Sequence, residues 1–181
     1  MPIFSDKRHA IIQTDLLAGT DVGAQLGMGR YLGSDAVTPA VIDNGHVVKI
    51  GGMIEDERDL RVFTTPAANT PIDRIGIIAS PERFYDGFTH GAKDYENPEG
   101  HNLRVYLLAY MTTSSSFTVT ADGFEIGAGA TPEKGWVAEL MAGTKLKLVA
   151  TATAGSTVVG KVIGITKLEG IEAYTIGKGD N

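Results

Sequence analysis

The sequence predicts a mainly β protein, a compact β-barrel or β-sandwich of about eight to ten short strands preceded by an N-terminal arm that stands outside the barrel. Three observations lead there. The chain has 23 glycines in 181 residues, spread between short apolar runs instead of gathered in one tract. That is the punctuation many short strands and tight turns require. Several runs alternate with period two, clearest in KLKLVATA, where Leu146 and Leu148 oppose Lys145 and Lys147. Asn44-Gly45 sits between two apolar runs, a pair suited to a type I′ hairpin turn.

Taken in order, residues 1–35 form an N-terminal arm and glycine-rich connection, and residues 36–181 a β-rich body. In the arm, Asp6 suits the cap of a short helix with Ile11, Ile12, Leu16 and Leu17 on one side and Gly19 past its end; an extended arm is the alternative. Gly19, Gly23, Gly27, Gly29 and Gly33 make the connection too glycine-rich for a stable helix, leaving a loop with room for a brief strand. The body opens with a hairpin over residues 39–50. Two strands follow, DLRVFTTP and RIGIIAS, joined by the turn-forming PAANTP. Residues 81–102 are long, polar and aromatic and read as a surface excursion. LRVYLLAYM carries apolar residues on both faces, as a central or covered strand does, and SFTVTA follows it. The last third adds KLKLVATA, then TVVGKVIGITKL with Gly160 and Gly164 at expected bulges, then LEGIEAYTIG as its hairpin partner.

Bulk composition excludes several classes of function. There is no cysteine, so disulfides, thiolate metal sites and thiol nucleophiles are absent, which fits folding in a reducing cytoplasm. The net charge is −6, from 16 basic and 22 acidic side chains, and the densest basic spot is Lys7-Arg8. Nucleic-acid binding needs basic side chains to displace counterions from phosphates, so no nucleic-acid partner is expected. The N-terminal apolar run is short and interrupted by Asp6, Gln13 and Asp15, unlike a signal peptide. No apolar window reaches membrane-spanning length, and a soluble chain with no membrane partner is expected.

Motif searches return no catalytic constellation. Ser114-Ser115-Ser116 lacks the G-x-S-x-G frame of a nucleophile elbow and reads as a polar turn. His9, His46, His90 and His101 form no paired metal motif. Asp86, His90, Asp94, Glu96, Glu99 and His101 gather oxygens and nitrogens in one polar stretch, without calcium-loop spacing, so no metal or other cofactor is assigned. The acidic run Glu55-Asp56-Glu57-Arg58-Asp59 reads as a solvated turn, since paired catalytic carboxylates must be held apart across a cleft. The lone Trp136, beside Val137 and Leu140, reads as core. Phe84, Tyr85, Phe88 and Tyr95 lie on the polar excursion, where aromatics either pack down or meet a neighbouring subunit.

The order of segments resembles the capsid decoration, or head-stabilising cement, proteins of siphophages. The phrases that carry the likeness are DNGHVVKIGG, RVFTTPAANTPIDRIGIIASPERFYDG, NPEGHNLRVYLLAYMTTSSSFTVTADGF and AGTKLKLVATATAGSTVVGKVIGITKLEGIEAYTIG, covering about residues 36–177. The resemblance implies a non-enzymatic structural virion protein with a β-barrel or sandwich body, often a trimer. Its partner would be the phage major capsid protein, and its place the capsid exterior after synthesis in the host cytoplasm. There it would bridge capsomers and stabilise the head. An arm that orders on binding would add capsid contacts from Phe4, Ile11, Ile12, Leu16 and Leu17, with Lys7 and Arg8 on its polar side. The alternative is a carbohydrate- or receptor-binding module of a phage tail or fibre, with Phe84, Tyr106, Tyr110 or Trp136 stacking on sugars. An enzyme, such as a β-barrel hydrolase, is the third reading.

Overall fold

The computed structural model of the chain describes residues 8–14, 26–81 and 91–178. Its strands are β1 (Ile12–Gln13), β2 (Leu26–Tyr31), β3 (Val47–Met53), β4 (Arg61–Thr64), β5 (Ile75–Ile78), β6 (Leu103–Leu107), β7 (Ser116–Thr120), β8 (Phe124–Ile126), β9 (Val137–Leu140), β10 (Leu146–Val149), β11 (Val158–Leu168) and β12 (Ile171–Gly177). The helical elements among the described residues are short 3-10 turns. The expected fold class is observed, in two parts. Strands β2-β4-β3-β5-β6 close into a barrel, and β1-β7-β12-β11-β9-β10-β8 form a seven-stranded sheet.

Side-chain alternation explains how the two parts join. In β3, Val48 points into the barrel with Phe63, Ile78 and Val105, while Val47 joins the other core. In β5, Ile78 faces inward while Ile75 and Ile77 pack outward against Phe117, Leu140, Leu146 and Tyr174 of the sheet. The outer wall of the barrel is thus covered by the sheet. All of Ile75–Ile78 is buried, which is why this strand reads as a continuous apolar run without alternation. Within the barrel, β2 runs beside β4 in parallel, and Gly29 pairs with Arg61. A Cβ at Gly29 would lie 2.2 Å from the Arg61 carbonyl oxygen, so only glycine allows these strands to approach so closely.

Several details differ from the sequence reading. Residues 39–50 do not form a hairpin. Ile42 instead makes an isolated bridge with Asn97, and β3 pairs with β4 and β5. Gly45 does take a positive φ of 81°, but Asn44 does not. Asn44 is buried, and its side chain donates to the Ser80 carbonyl and accepts from the Ser80 N–H, both at 3.0 Å. A buried backbone pair that needs partners has claimed this side chain. The turn with two positive φ values is at Glu169 (48°) and Gly170 (79°), where Leu168 pairs with Ile171 across the β11–β12 hairpin.

The helix alternative for residues 6–18 is not realised over residues 8–14. Ile12 and Gln13 pair antiparallel with Val119 and Thr118 of β7. The glycine-rich connection does hold a brief strand, β2, and that strand is a stave of the barrel, so the β-rich part begins before residue 36. The run LRVYLLAYM leaves the strand after Leu107 for a 3-10 turn, Leu108–Tyr110, and buries Leu108 and Met111 in the shared core. The expected bulges in β11 are present, with register shifts between Val158 and Gly160 and between Val162 and Gly164.

Candidate functional site

The most chemically organised place among the described residues is the seam where the N-terminal segment crosses from sheet to barrel. Three extended pieces meet there, each held by its own backbone bonds. The N–H of His9 donates to the Lys93 carbonyl at 2.7 Å. Ile11 exchanges bonds with Thr120: its N–H donates to Oγ1, and its carbonyl accepts from the Thr120 N–H, both at 3.0 Å. Asn97 donates through Nδ2 to the Ile42 carbonyl at 3.0 Å and to Asn44 Oδ1 at 3.1 Å. The His9 and Asn97 bonds join the N-terminal segment and residues 42–44 to the stretch 93–97, and the Ile11 bonds tie that segment to β7.

The side chains follow. His9 is 5% exposed, and its Nδ1 lies 2.7 Å from Asp43 Oδ1. Glu96 completes a group in which His9, Asp43 and Glu96 each place one donor atom within 4.8 Å of the others. His46 Nδ1 is 3.1 Å from Thr144 Oγ1, while its Nε2 makes no hydrogen bond and lies 3.9 Å from Asp43 Oδ2. A cavity of about 320 Å³ opens over these groups, bordered also by Tyr31, Lys145 and the Arg8–Asp122 ion pair. Burial pushes the His46 imidazole down to about 4; Lys145 and His9 lower it further, and Asp43 opposes them. The ring is therefore neutral at neutral pH.

Two kinds of chemistry can be weighed. The order Thr144, His46, Asp43 has the residue types of a nucleophilic relay. It fails on geometry, because 3.9 Å between Nε2 and Asp43 exceeds a hydrogen bond, and a ring that protonates near 4 is a weak general base at neutral pH. The mixed imidazole and carboxylate set is the composition of a divalent-cation site. A second cleft of about 620 Å³ lies against the barrel, bordered by Leu26, Ile50, Arg61, Asp73, Arg74 and Leu107.

The residues singled out from sequence are distributed unevenly over this picture. Arg8 is exposed and paired with Asp122 through contacts of 2.7 and 2.9 Å. Ile11 is buried and Ile12 packs on the main core, so the apolar surface of Ile11 is spent inside the fold and is not open to a capsid. Phe4, Lys7, Leu16, Leu17, Phe84, Tyr85 and Phe88 lie outside the described residues, as do Asp86 and His90. Tyr95 is half-buried beside the seam. Of the polar excursion, Glu96 joins the site, Asp94 accepts from the Gly91 N–H, and Glu99 and His101 are exposed. Trp136 packs on the core, as its neighbours suggested. Ser114 and Ser115 bond to Thr112 in the expected turn. The acidic run is solvated, apart from Glu57, which accepts from Arg30 at 3.0 Å.

In sequence, His9 and His46 stand out only as histidines without a paired metal motif, and Asp43 does not stand out. Asp43-x-x-His46 is the only local trace of the site, because the other donors come from positions distant in the chain. Among the described residues, no helix is long and apolar enough to cross a membrane. The molecule is thus a mainly β protein in which a closed barrel is fused to an open sheet, with a buried imidazole–carboxylate cluster at the join. Comparison with protein-family models, with curated proteins and with solved structures finds no match.

Proposed function

We propose that this chain is a non-enzymatic structural virion protein that binds the outer surface of an assembled phage capsid and stabilises it by bridging capsomers. The observation that carries the reading is the series of phrases over residues 36–177 that resembles decoration proteins, set on a β-barrel body of the kind that likeness implies. The surface is compatible with it. Leu26 and Met28 on β2 and Met53 at the end of β3 are each about half exposed, as are Val158, Ile163 and Ile165 on β11. Apolar side chains on strand faces suit a protein that gains strength from many symmetric, individually modest contacts. Binding as a trimer to the major capsid protein, on the capsid exterior, belongs to the same proposal.

The test is co-sedimentation of the purified chain with its cognate capsids, expanded and unexpanded, with the bound amount measured in the pellet. Saturable binding in large copy number, preferring expanded capsids, supports the proposal. No binding to either form overturns it and brings a glycan-binding role to the front.

A further inference from the structure

We propose that His9, Asp43 and Glu96, with Nε2 of His46 as a fourth donor, form a binding site for a first-row divalent transition-metal cation such as Zn²⁺. Two independent observations point to it. The first is convergence: residues 9, 43 and 96 come from three separate segments, yet their donor atoms already lie within 4.8 Å of one another. Metal–ligand bonds of about 2.0–2.2 Å place tetrahedral ligand atoms roughly 3.4 Å apart, so these three donors need to draw together, with His46 Nε2 moving in from 3.9 Å off Asp43 Oδ2. The second is His46. It is 8% exposed and borders the same cavity, and its Nε2 has no hydrogen-bond partner although buried polar atoms nearly always have one.

The surroundings fit a cation. Thr144 Oγ1, 3.1 Å from Nδ1, can accept the single ring proton of a neutral His46 and leave the Nε2 lone pair available, 3.9 Å from Asp43 Oδ2. That is the outer-shell support typical of a metal-bound imidazole. The charged groups bordering the cavity are Asp43, Glu96 and Asp122 against Arg8 and Lys145, and Arg8 is committed to Asp122. The carboxylates therefore outnumber the cations. Imidazole donors favour zinc, cobalt or nickel over magnesium and calcium, which prefer oxygen alone. The cavity of about 320 Å³ has room for the ion and a completing water. A bound cation would pin the N-terminal segment to the barrel loop and to the stretch before β6, adding cross-links to the contacts that already join them. The site is independent of the capsid reading and stands or falls separately.

The test uses the full chain, stripped with EDTA and desalted, then titrated with ZnCl₂ by calorimetry, with bound metal counted by elemental analysis. One equivalent of zinc and a higher melting temperature are expected. Glu96→Gln and His46→Gln should each weaken binding at least ~10-fold, while His101→Ala leaves it unchanged. Circular dichroism checks that the variants fold. If they do not, Co²⁺ added to the unaltered chain decides, through paramagnetic shifts of the His9 and His46 ring resonances. No stoichiometric binding, binding retained by both folded variants, or cobalt shifts confined to other histidines would overturn the site.

Discussion

Glu139 shows how a single residue can oppose its context and still be tolerated. It lies in β9, where every residue is buried, and is itself 1% exposed. Both carboxylate oxygens are used: Thr153 donates its N–H at 2.7 Å and its hydroxyl at 2.6 Å. Glu139→Ala would remove both bonds to Thr153 and empty a buried position in β9, and should cost about 2–3 kcal/mol in urea unfolding. Glu139→Gln, which keeps one acceptor oxygen, should cost less; equal losses would show that one acceptor is not enough and that both carboxylate oxygens are required. His46 carries the pH dependence. Its folded pKa is about 4 against an ordinary 6.5, so between those values the unfolded chain binds the extra proton. In chelator-treated protein its contribution to stability is fully present above about pH 6.5 and is lost as pH falls toward 4, by at most roughly 3 kcal/mol. His46→Gln, facing the same Asp43, Lys145, His9 and Thr144, should flatten the stability profile over that window. An unaltered slope would place the titration elsewhere.

At the scale of elements, close strand approach and hairpin geometry decide what substitutions the chain accepts. Gly29→Ala drives a Cβ into the Arg61 carbonyl and within 2.7 Å of the Phe63 ring, both fixed parts of the barrel. A loss of about 1–3 kcal/mol is expected. Gly52→Ala is the control, since nothing lies within 4 Å of its added Cβ and its φ is not positive. It should be neutral or stabilise slightly, by reducing unfolded-chain entropy. Equal denaturation midpoints for the two variants would contradict the barrel packing. The period-two strands were legible for a physical reason: β10 exposes one face and buries the other, and its sequence records the difference. The β11 bulges were legible because a Cβ at Gly160 would lie 2.5 Å from the Gly177 carbonyl oxygen, so no side chain fits there. The false hairpin at Asn44 arose because Asn-Gly suits a type I′ turn locally, while the buried backbone of Ser80 required the asparagine for another purpose.

For the whole molecule, the N-terminal segment over residues 8–14 is integral to the fold. Ala10 and Ile11 are buried and Ile12–Gln13 extend the sheet beyond β7, so this part belongs to the body. Under the proposed capsid role, deleting residues 2–7 should weaken co-sedimentation with capsids. Deleting residues 2–14 should lower the melting temperature by several degrees, because it uncovers the β7 edge and removes core side chains. An unchanged melting temperature after the longer deletion would show that this segment does not stabilise the body. Full capsid binding after the shorter deletion would remove residues 2–7 from the contact surface.

Local chemistry alone determined that this chain would be mainly β, where its glycine-marked bends fall in β11, and that residues 171–177 return as a hairpin partner. Those properties depend on side-chain alternation and backbone freedom, which act between near neighbours. Tertiary structure decided that the strands divide between a closed barrel and an open sheet, that β5 is buried on both faces, and that the N-terminal segment is part of the core. It also decided the seam cluster. His9 and Asp43 are 34 residues apart and Glu96 lies farther along the chain, so their meeting depends on strand pairing across the whole fold. No pattern of neighbouring residues encodes that proximity, because it exists only once the sheet and the barrel have closed on each other.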